Sequence, residues 1–572
     1  MPNTRIDNLY QLLVENQKYA MMNWYESYKE LTNQVDLIRT KLNNGNGLKE
    51  DVVYHGTIFE NEDNSFDAFM YRFIKTEEEG GNGVSSNGQS VVSAALFDGP
   101  NTFKNDPGFI STVENLIKTP NSATYYEFKQ SWNNQEGAKD NKVLINRTAA
   151  ACNLDISSTV EEGKFNTLFH WLQQEGLIGN YTGNPVSWFE KNVFAVQQID
   201  AGLSKNNGDK LWRNIFIWRL FEYIGNPFNL KKQIIKYGAP GTGKTYGAQI
   251  ESKLQFEIWK TEYNITDYKY ENHFEIVQFH PSFSYEDFIE GLRPALVDNE
   301  SQLSLQNGIF KTFCIKAGKW ESDMYKLDRE GTFNYQTGTI LDLETNPAFD
   351  GLRNTDEYSH WEYVFEQTNK SKRVVDALPP YFFIIDEINR AELSRVLGEL
   401  MYSLEKRGTE GKIKTQYANL NTADNYMLQV GDPGENNFQF FIPNNVFVIG
   451  TMNTIDRSVE SFDFALRRRF VWEEVMPNIR MLRGYLGERH PQWQELAESL
   501  NKLNQRIATE PFLGKDFQIG HAYLMDLPYS NHLTTKEVRQ DVWSKSIKPL
   551  LEEYLRGTGK QLTDYKKAFG LH

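Results

Sequence analysis

The sequence has few of the residues that mark extracellular, membrane or metal-binding proteins. Its 572 residues include only two cysteines, Cys152 and Cys314, far apart in the sequence, so neither a disulfide framework nor a zinc knuckle is indicated. The nine histidines form no H-E-x-x-H or similar pair, so a metal site made by protein ligands alone is not expected. No run of eighteen apolar residues is present, and the N-terminus lacks the basic and then apolar plan of a signal peptide. We therefore expect a cytoplasmic protein without a membrane span.

The overall charge is acidic. The formal net charge is −15 at pH 7, with a sequence pI near 5.3. Proteins that coat nucleic acid nonspecifically usually have the opposite sign, because neutralised phosphates supply most of that affinity. Any contact with nucleic acid must therefore come from a local basic surface or from a partner. The hydrophobic content of 40% is that of a globular protein, and the length predicts about three or four domains.

Helical and strand-like patterns follow each other at the N-terminus. Residues 5–43 have apolar positions at helical spacing and run into a Gly- and Asn-rich break. From Val52 to about Ile110, aromatic and β-branched runs alternate with Gly, Asn and Ser, which predicts strands and an exposed loop. We interpret residues 1–118 as an α+β module that recognises DNA or another target.

Residues 119–208 are predicted to be helical. The segment Phe165–Ile178 places four apolar side chains on one face, namely Phe165, Leu168, Phe169 and Leu172. Together with the preceding residues, it resembles the last helix and wing of a winged-helix unit. An ordinary amphipathic core helix accounts for the pattern equally well, and both interpretations stay open.

The pattern changes after a helix predicted at Lys210–Ile224. Strands then alternate with helices, which indicates a parallel sheet covered by helices on both faces. We place the domain boundary in or just before this helix. The α/β domain is expected at residues 209–480 and a C-terminal helical lid at residues 481–572.

A complete phosphate-binding motif follows the first strand of this domain. G-x-x-x-x-G-K-T lies between an apolar strand, Gln233–Tyr237, and a helical stretch. Its glycines let backbone N–H groups turn toward a phosphate, and the helix N-terminus adds positive potential. Lys244 would bridge the β- and γ-phosphate oxygens, and the Thr245 hydroxyl would hold Mg²⁺. The motif identifies a P-loop nucleoside triphosphatase whose predicted nucleotide-binding residues are Gly238, Ala239, Pro240, Gly241, Thr242, Gly243, Lys244 and Thr245.

An acidic pair ends a second apolar strand. Tyr381–Ile385 predicts a buried strand, and Asp386 and Glu387 follow it at the edge where ligands of parallel sheets bind. We predict that Asp386 holds Mg²⁺ through water and that Glu387 polarises the attacking water. Acidic residues can also end a strand for solubility alone, an alternative that the P-loop disfavours.

A third strand leads into a polar tetrad. Val446–Gly450 is apolar, and Asn453 follows at the same predicted edge, where it can contact a γ-phosphate or the attacking water. Asn421 begins a nearly identical tetrad, but that copy stands in a polar stretch with turn signals. We therefore predict a hairpin-like surface turn at Asn421 and a sensor at Asn453.

Together these motifs resemble the GTPase motor subunit of McrBC-type, methylation-dependent restriction systems, a clade of AAA+ proteins. The similarity covers roughly residues 230–525. The matching strings are GAPGTGKTY, IVQFHPSFSYEDFIEGLRP, IIDEINRAELSRVLGELMYSLE, GTMNTIDRSVESFDFALRRRF and IGHAYLM. The M-N-T-x-D-R-S string with its trailing arginines is much more specific than a P-loop. The resemblance implies an α/β AAA+ fold with a C-terminal helical lid.

The resemblance also implies a hexameric ring that binds GTP, or ATP, with Mg²⁺ between protomers. In such rings the neighbour supplies arginine to the phosphates, a role that falls to Arg467, Arg468 and Arg469. A solvated basic helix end that complements the helix dipole is the alternative for at least one of them.

Further site residues and partners follow from the same resemblance. Asn453 and Asp456 would form a polar relay to the catalytic water, and Tyr246 and His521 would belong to the nucleotide site. A McrC-like nuclease partner would reach this relay and stimulate hydrolysis, while the N-terminal region would recognise DNA. No nuclease core is apparent in the chain, so DNA cleavage would belong to the partner.

Two features depart from the family pattern. Asp386 follows Gly238 by 148 residues (386 − 238), which is long for this clade, and residues 320–373 look like a surface insertion. The N-terminal region does not match the methylated-base reader of the best-known member, so the modification recognised does not carry over. Two alternative functions remain: an ATP-driven remodelling chaperone similar to MoxR-type AAA+ proteins, and a non-enzymatic recognition protein.

Overall fold

The computed structural model divides the chain into two compact units, residues 1–226 and 227–572. The residues that the structure describes are 3–45, 69–70, 73, 92, 94–138, 141–183, 187–204, 209–225, 231–262, 265, 268–297, 300–329, 333–334, 339–340, 378–422, 425, 427–430, 437–455, 464–525 and 533–571.

The described part of the first unit is helical. Its helices are Thr4–Leu13, Lys18–Asn43, Ala94–Phe97, Pro107–Lys118, Ser122–Asn133, Lys142–Cys152, Glu162–Gln174, Trp188–Gly202 and Lys210–Ile224. Most of the predicted strand-rich segment 52–110 lies outside the described residues. Its C-terminal end is helical, because Asp106 accepts a hydrogen bond from the Gly108 N–H at 2.9 Å and so caps a helix that begins at Pro107. The described residues at this end of the segment are therefore helical, and the predicted strands before them lie outside the described residues.

Helix Glu162–Gln174 packs into the core of the first unit. The four apolar side chains of its predicted face are all buried, as their spacing indicates. The described residues 175–183 that follow contain no strand, so no wing is observed there. This arrangement favours the core-helix interpretation over the winged helix.

Helix Lys210–Ile224 belongs to the first unit, so the division falls after this helix and not in or before it. Asn214 of this helix is fully buried, and its hydrogen bonds attach the helix to the first unit. Its side-chain amide donates to the carbonyl of Leu154 at 3.0 Å, to that of Ile156 at 3.1 Å and to the Tyr28 hydroxyl at 3.0 Å. A buried amide with its hydrogens satisfied in this way ties the helix to its own unit.

A five-stranded parallel sheet forms the centre of the second unit. Its strands are β1 (Gln233–Gly238), β2 (Phe274–Gln278), β3 (Tyr381–Asp386), β4 (Val446–Asn453) and β5 (Val471–Glu474). Their order across the sheet is β5-β1-β4-β3-β2, and all neighbouring pairs are parallel. Gly238 pairs with Asn453, and Ile385 pairs with Gly450. The three predicted motifs therefore meet at one edge, which confirms the predicted parallel α/β sheet.

Helices and hairpins surround this sheet. The helices are Lys244–Glu262, Tyr285–Phe288, Ile309–Ala317, Lys319–Arg329, Leu393–Leu397, Leu400–Glu405, Phe464–Arg467, Ile479–Arg489, Glu495–Ala508, Thr535–Val542, Lys548–Tyr554 and Thr563–Ala568. The antiparallel hairpins are Glu290–Val297 with Glu300–Asn307, Phe333–Asn334 with Thr339–Ile340, and Leu428–Gln429 with Phe438–Gln439.

The predicted surface insertion at 320–373 begins inside the core. Trp320 and Glu321 are buried, and the Glu321 carboxylate accepts hydrogen bonds from the backbone and side-chain amides of Asn444 at 2.6 and 2.7 Å. The start of helix Lys319–Arg329 is therefore part of the domain core and not a surface insertion, because its first turn anchors the loop that leads into β4. Residues 341–377, the larger part of the predicted insertion, lie outside the described residues.

Asn421 and Thr422, the described residues of the second tetrad, lead into a turn, as their surroundings predict, because the Asn425 N–H donates to the Thr422 carbonyl at 3.2 Å. Thr422 donates its N–H to the Asn425 side chain, and a short hairpin follows. Asn421 has a structural contact that the sequence did not indicate: its side-chain oxygen accepts from Lys311 at 2.8 Å. Lys311 also forms an ion pair with Glu290, and both side chains are almost fully buried, at 1% and 0% exposed.

The C-terminal residues form a helical lid with its own apolar core, as predicted. Leu482, Leu486, Trp493 and Leu500 belong to this core, which is separate from the core around the sheet. None of the helices in the described ranges is long and apolar enough to cross a membrane.

The buried ion pair gives a test of the fold. Glu290→Gln should lower the free energy of unfolding of the second unit by about 3–5 kcal/mol, because Lys311 would keep a buried charge without its carboxylate. Thermal and denaturant unfolding of the full chain measure this change. Glu286→Gln, at an exposed position nearby, is the matched control and should stay within about 0.5 kcal/mol of the parent. Equal stability of the two variants would contradict the role given to the pair.

Candidate nucleotide site

The phosphate loop begins where β1 ends, and its glycines are required by its shape. Gly238, Gly241 and Gly243 have φ values of 150°, 73° and 74°, which other residues rarely adopt. A Cβ at Gly238 would lie 2.5 Å from the Val475 carbonyl oxygen, and one at Gly241 would lie 2.7 Å from the Tyr523 ring. Helix Lys244–Glu262 starts directly after the loop, so its N-terminus faces the space that the loop encloses.

Lys244 is folded into this loop. Its ammonium donates to the carbonyls of Ala239 at 2.7 Å and Gly238 at 3.2 Å, and the residue is buried. Burial lowers the pKa of Lys244 to about 8, an effect that the carboxylates of Glu387 and Asp386 oppose. The side chain is thus still mainly protonated at pH 7 and can neutralise an anion beside the loop.

Two hydroxyls converge on the first acid of the predicted pair. The Thr245 hydroxyl donates to Asp386 Oδ1 at 2.7 Å, and the Thr451 hydroxyl donates to the same oxygen at 2.6 Å. A threonine hydroxyl and a carboxylate are oxygen ligands of the kind that Mg²⁺ prefers, so these residues fit the metal that the P-loop implies. Thr451 was not predicted. The one signal in the sequence is its position two residues before Asn453, which places both side chains on the same face of a strand.

The second acid, Glu387, is held by the predicted sensor. The Asn453 side-chain amide donates to Glu387 Oε1 at 2.9 Å. Glu387 has φ of 51° and ψ of 45°, a left-handed conformation that is uncommon outside glycine. Arg390 Nε lies 3.5 Å from Glu387 Oε2. Asn453 therefore contacts the residue expected to polarise water, in addition to standing at the edge expected for a phosphate sensor.

The three predicted arginines have different surroundings. Arg469 is 12% exposed, donates through Nε to the Met401 carbonyl at 2.9 Å, and forms an ion pair with Glu405 at 2.9 Å. Arg468 is 67% exposed, and its one described ion pair is a longer contact of 3.4 Å with Glu405. The Arg467 guanidinium lies 5.0 Å from the ring centroid of Trp472. Arg469 thus has a structural role within its own protomer.

The arginines lie at the edge of the sheet opposite the phosphate loop. They immediately precede β5, which runs parallel to β1, and Lys231 just before β1 donates to the Arg468 carbonyl. Gly238, in contrast, is the last residue of β1. The structure therefore does not bring these arginines to the phosphate loop of the same protomer.

The lid contacts the phosphate loop through its backbone. The N–H of Gly520 donates to the Pro240 carbonyl at 3.1 Å, and that of Ala522 donates to the Gly241 carbonyl at 3.0 Å. A Cβ on Gly520 would lie 2.0 Å from the Gly241 carbonyl carbon, so only glycine permits this approach.

His521 points from this contact toward the loop. It is buried, its Nδ1 accepts the Asn478 N–H at 3.1 Å, and a Cβ placed on Gly243 would lie 3.5 Å from its Nε2. Burial lowers the pKa of His521 to about 4, so the ring is neutral at pH 7. With Nδ1 as acceptor, the hydrogen of the neutral ring is on Nε2, toward the loop.

One predicted site residue does not take part in these contacts, and another is not described. Tyr246 is 67% exposed in the first turn of the helix that follows the P-loop. Asp456 lies outside the described residues.

Fold and site residues together define an AAA+ P-loop nucleoside triphosphatase. Residues 233–470 match a family model described as an AAA domain of the dynein-related subfamily, and residues 495–563 match the alpha-helical lid domain of McrB. The chain is 32% identical over 342 residues to the Type IV methyl-directed restriction enzyme EcoKMcrB subunit of Escherichia coli strain K12. That match covers 58% of this chain and 56% of the relative.

A second relative is the Type II restriction enzyme BsuMI component YdiS of Bacillus subtilis strain 168. It is 24% identical over 299 residues, which cover 50% of this chain and 73% of the relative. This chain thus aligns with only about half the length of the Escherichia coli protein. The matches to an AAA domain and to the McrB lid domain show that residues 233–470 and 495–563 form an McrB-like AAA+ region.

The neutral state of His521 predicts a pH effect. Its folded pKa is below the ordinary value of about 6.5, so its contribution to stability is complete above pH 6.5 and is lost as pH falls toward 4. The free energy of unfolding should fall by about 3 kcal/mol as pH falls to about 4. Thermal unfolding of the parent and of His521→Asn, whose side-chain oxygen can replace Nδ1 as acceptor, measures it. The parent should lose more stability than the variant over this range, and parallel pH curves would contradict the prediction.

Proposed function

We propose that the protein is the motor subunit of a restriction system, which hydrolyses GTP in a hexameric ring, recognises modified or foreign DNA and drives a separate McrC-like nuclease in the cytoplasm. The observation that carries the hydrolytic part is the pairing of a P-loop with two differently held acids: Asp386 binds two threonine hydroxyls, and Glu387 binds the Asn453 amide. Both relatives are named as parts of restriction enzymes, which supports the cellular role.

Each residue of the site would have a separate role in hydrolysis. When bound, Mg²⁺ neutralises charge that develops on the phosphate oxygens. Thr245 and Asp386 would hold the metal, and Lys244 would neutralise phosphate charge once its ammonium leaves the loop carbonyls. Glu387 would orient the attacking water and accept its proton, while the Asn453 amide, 2.9 Å away, holds that carboxylate in place.

A neighbouring protomer completes the site. Arg467 and Arg468 lie at the edge of the sheet that is opposite their own phosphate loop, yet both are exposed. A guanidinium against the γ-phosphate neutralises developing charge and can raise the rate by several powers of ten. Ring assembly brings such a group to the phosphates from outside, which is why the proposal includes a ring.

GTP preference, DNA recognition and the nuclease partner rest on the resemblance to McrB. The net charge of −15 requires DNA to contact a local basic surface, or to be held partly by the partner. The Asp456 relay to the partner and the contacts of Tyr246 and His521 with nucleotide belong to the same proposal.

Base preference separates this proposal from an ATP-driven remodelling chaperone. At equal concentrations, the full chain should hydrolyse GTP about tenfold faster than ATP or better. Lys244→Ala should lower turnover by about 100-fold or more, because the positive charge that would neutralise the phosphates is lost. Lys253→Ala, at an exposed lysine of the same helix, is the matched control. A clear preference for ATP would favour remodelling, and full activity of Lys244→Ala would contradict a hydrolytic motor.

The arginines give a second test. Arg468→Ala should lower turnover by about 1,000-fold with little change in stability, whereas Arg469→Ala should cost about 1–3 kcal/mol of stability, because its contacts lie within its own protomer. Turnover and thermal unfolding of each variant separate the two effects.

Mixing the Lys244→Ala and Arg468→Ala chains tests action between protomers. Some interfaces of the mixed ring pair an intact P-loop with an intact arginine, so activity should exceed that of either variant alone. If mixing restores nothing while mixed rings form, Arg468 does not act across the interface.

A further inference from the structure

Thr451 is a buried hydroxyl inside the metal end of the site. It is 2% exposed, and its Oγ1 lies 2.6 Å from Asp386 Oδ1 and 3.2 Å from the Thr245 Oγ1. Thr245 donates to the same carboxylate oxygen at 2.7 Å. One oxygen of Asp386 therefore receives two hydroxyl hydrogen bonds, one from the phosphate loop and one from β4.

The register of β4 explains why this hydroxyl reaches the acid. Gly450 pairs with Ile385, so the next residue along β4 stands beside Asp386 at the end of β3. Thr451 and Asn453 are two residues apart on a strand and therefore share a face, while Met452 between them packs against the apolar core. A single face of β4 thus presents a hydroxyl to Asp386 and an amide to Glu387.

Adjacent residues of a continuing strand would point to opposite faces, so the two acids need a special backbone to meet one face of β4. The left-handed conformation of Glu387, with φ of 51°, ends the strand at this position. The turn lets the Glu387 carboxylate reach the Asn453 amide while Asp386 keeps its contact with Thr451.

We propose that Thr451 is a positioning residue of the magnesium site, through which β4 aligns the metal-holding acid with the water-polarising acid. Its donation fixes the orientation of the Asp386 carboxylate relative to the Thr245 hydroxyl. The metal-facing geometry then depends on β4 as well as on the two motifs that hold the metal. The proposal rests on the metal-dependent nucleotide site described under the proposed function.

The test compares Thr451→Val, which keeps the shape and removes the hydroxyl, with Thr451→Ser, which keeps a donor. Binding of fluorescent GDP and ADP to the full chain is measured in Mg²⁺ and in EDTA. Electron paramagnetic resonance of Mn²⁺ in the nucleotide complex gives the dissociation constant of the metal directly. Thr148→Val, at a fully buried threonine whose hydroxyl donates to a carbonyl in its own helix, controls for loss of a buried hydroxyl.

T451V should raise the Mn²⁺ dissociation constant by about 10- to 100-fold, as loss of an outer partner of a metal ligand commonly does. The nucleotide affinity of T451V in EDTA should not change. The Mn²⁺ dissociation constants of T451S and T148V should stay close to that of the parent. An unchanged Mn²⁺ constant in T451V would overturn the proposal. An equal loss of nucleotide affinity in Mg²⁺ and EDTA would also overturn it, because that result indicates a general structural role.

Two further measurements keep the outcomes distinct. If T451V does not fold, T451A removes the same donor with less demand on packing and is read by the same criteria. In the Asp386→Asn background, T451V should add no further loss of Mn²⁺ affinity, since its effect acts through that carboxylate. If no Mn²⁺ binds in the nucleotide complex of the parent itself, the metal-dependent site of the proposed function fails independently of Thr451.

Discussion

The parallel register of β1, β4 and β3 is the constraint on which the nucleotide site depends. Because these strands run in one direction, their carboxyl ends meet at one edge, where Gly238 pairs with Asn453 and Ile385 with Gly450. Three segments that are far apart in the sequence deliver the phosphate loop, the acids and the sensor to the same place. A shift of one residue in either pairing would turn the Thr451 and Asn453 side chains to the wrong face.

Burial then sets the protonation state of the titratable side chains around this edge of the sheet. Lys244 and His521 both have lowered pKa values because they are desolvated, but the consequences differ. The lysine, near 8, stays mainly cationic at neutral pH, and the histidine, near 4, is neutral. The site thus combines a buried positive charge with a neutral donor, and the two adjacent carboxylates have different hydrogen-bond partners.

Features that contiguous residues encode could be predicted from the sequence, whereas features that depend on contacts between strands could not. The P-loop, the apolar strand before Asp386 and the turn at Asn421 each have a local pattern, and the structure has the strand and the turn there. Thr451 was missed because one hydroxyl in an apolar strand has no pattern of its own. Its partner becomes visible only when β4 is placed beside β3.

Other features that the sequence did not predict also depend on contacts in the folded chain. Arg468 and Arg469 look alike in the sequence, and only the contacts of Arg469 with Glu405 and the Met401 carbonyl separate them. The residue count between Gly238 and Asp386 predicted an insertion, but it could not reveal that Glu321 is buried. The strand-like composition before residue 110 likewise gave no information about the cap that starts the helix at Pro107.

The close contact of Gly520 with the phosphate loop has a mechanical consequence. Two loop carbonyls are tethered to the lid, and the backbones touch without any intervening side chain that could yield. A rotation of the lid therefore either carries the loop with it or shears both hydrogen bonds. Movement of the lid would thus reach the phosphate loop directly, through main-chain atoms alone.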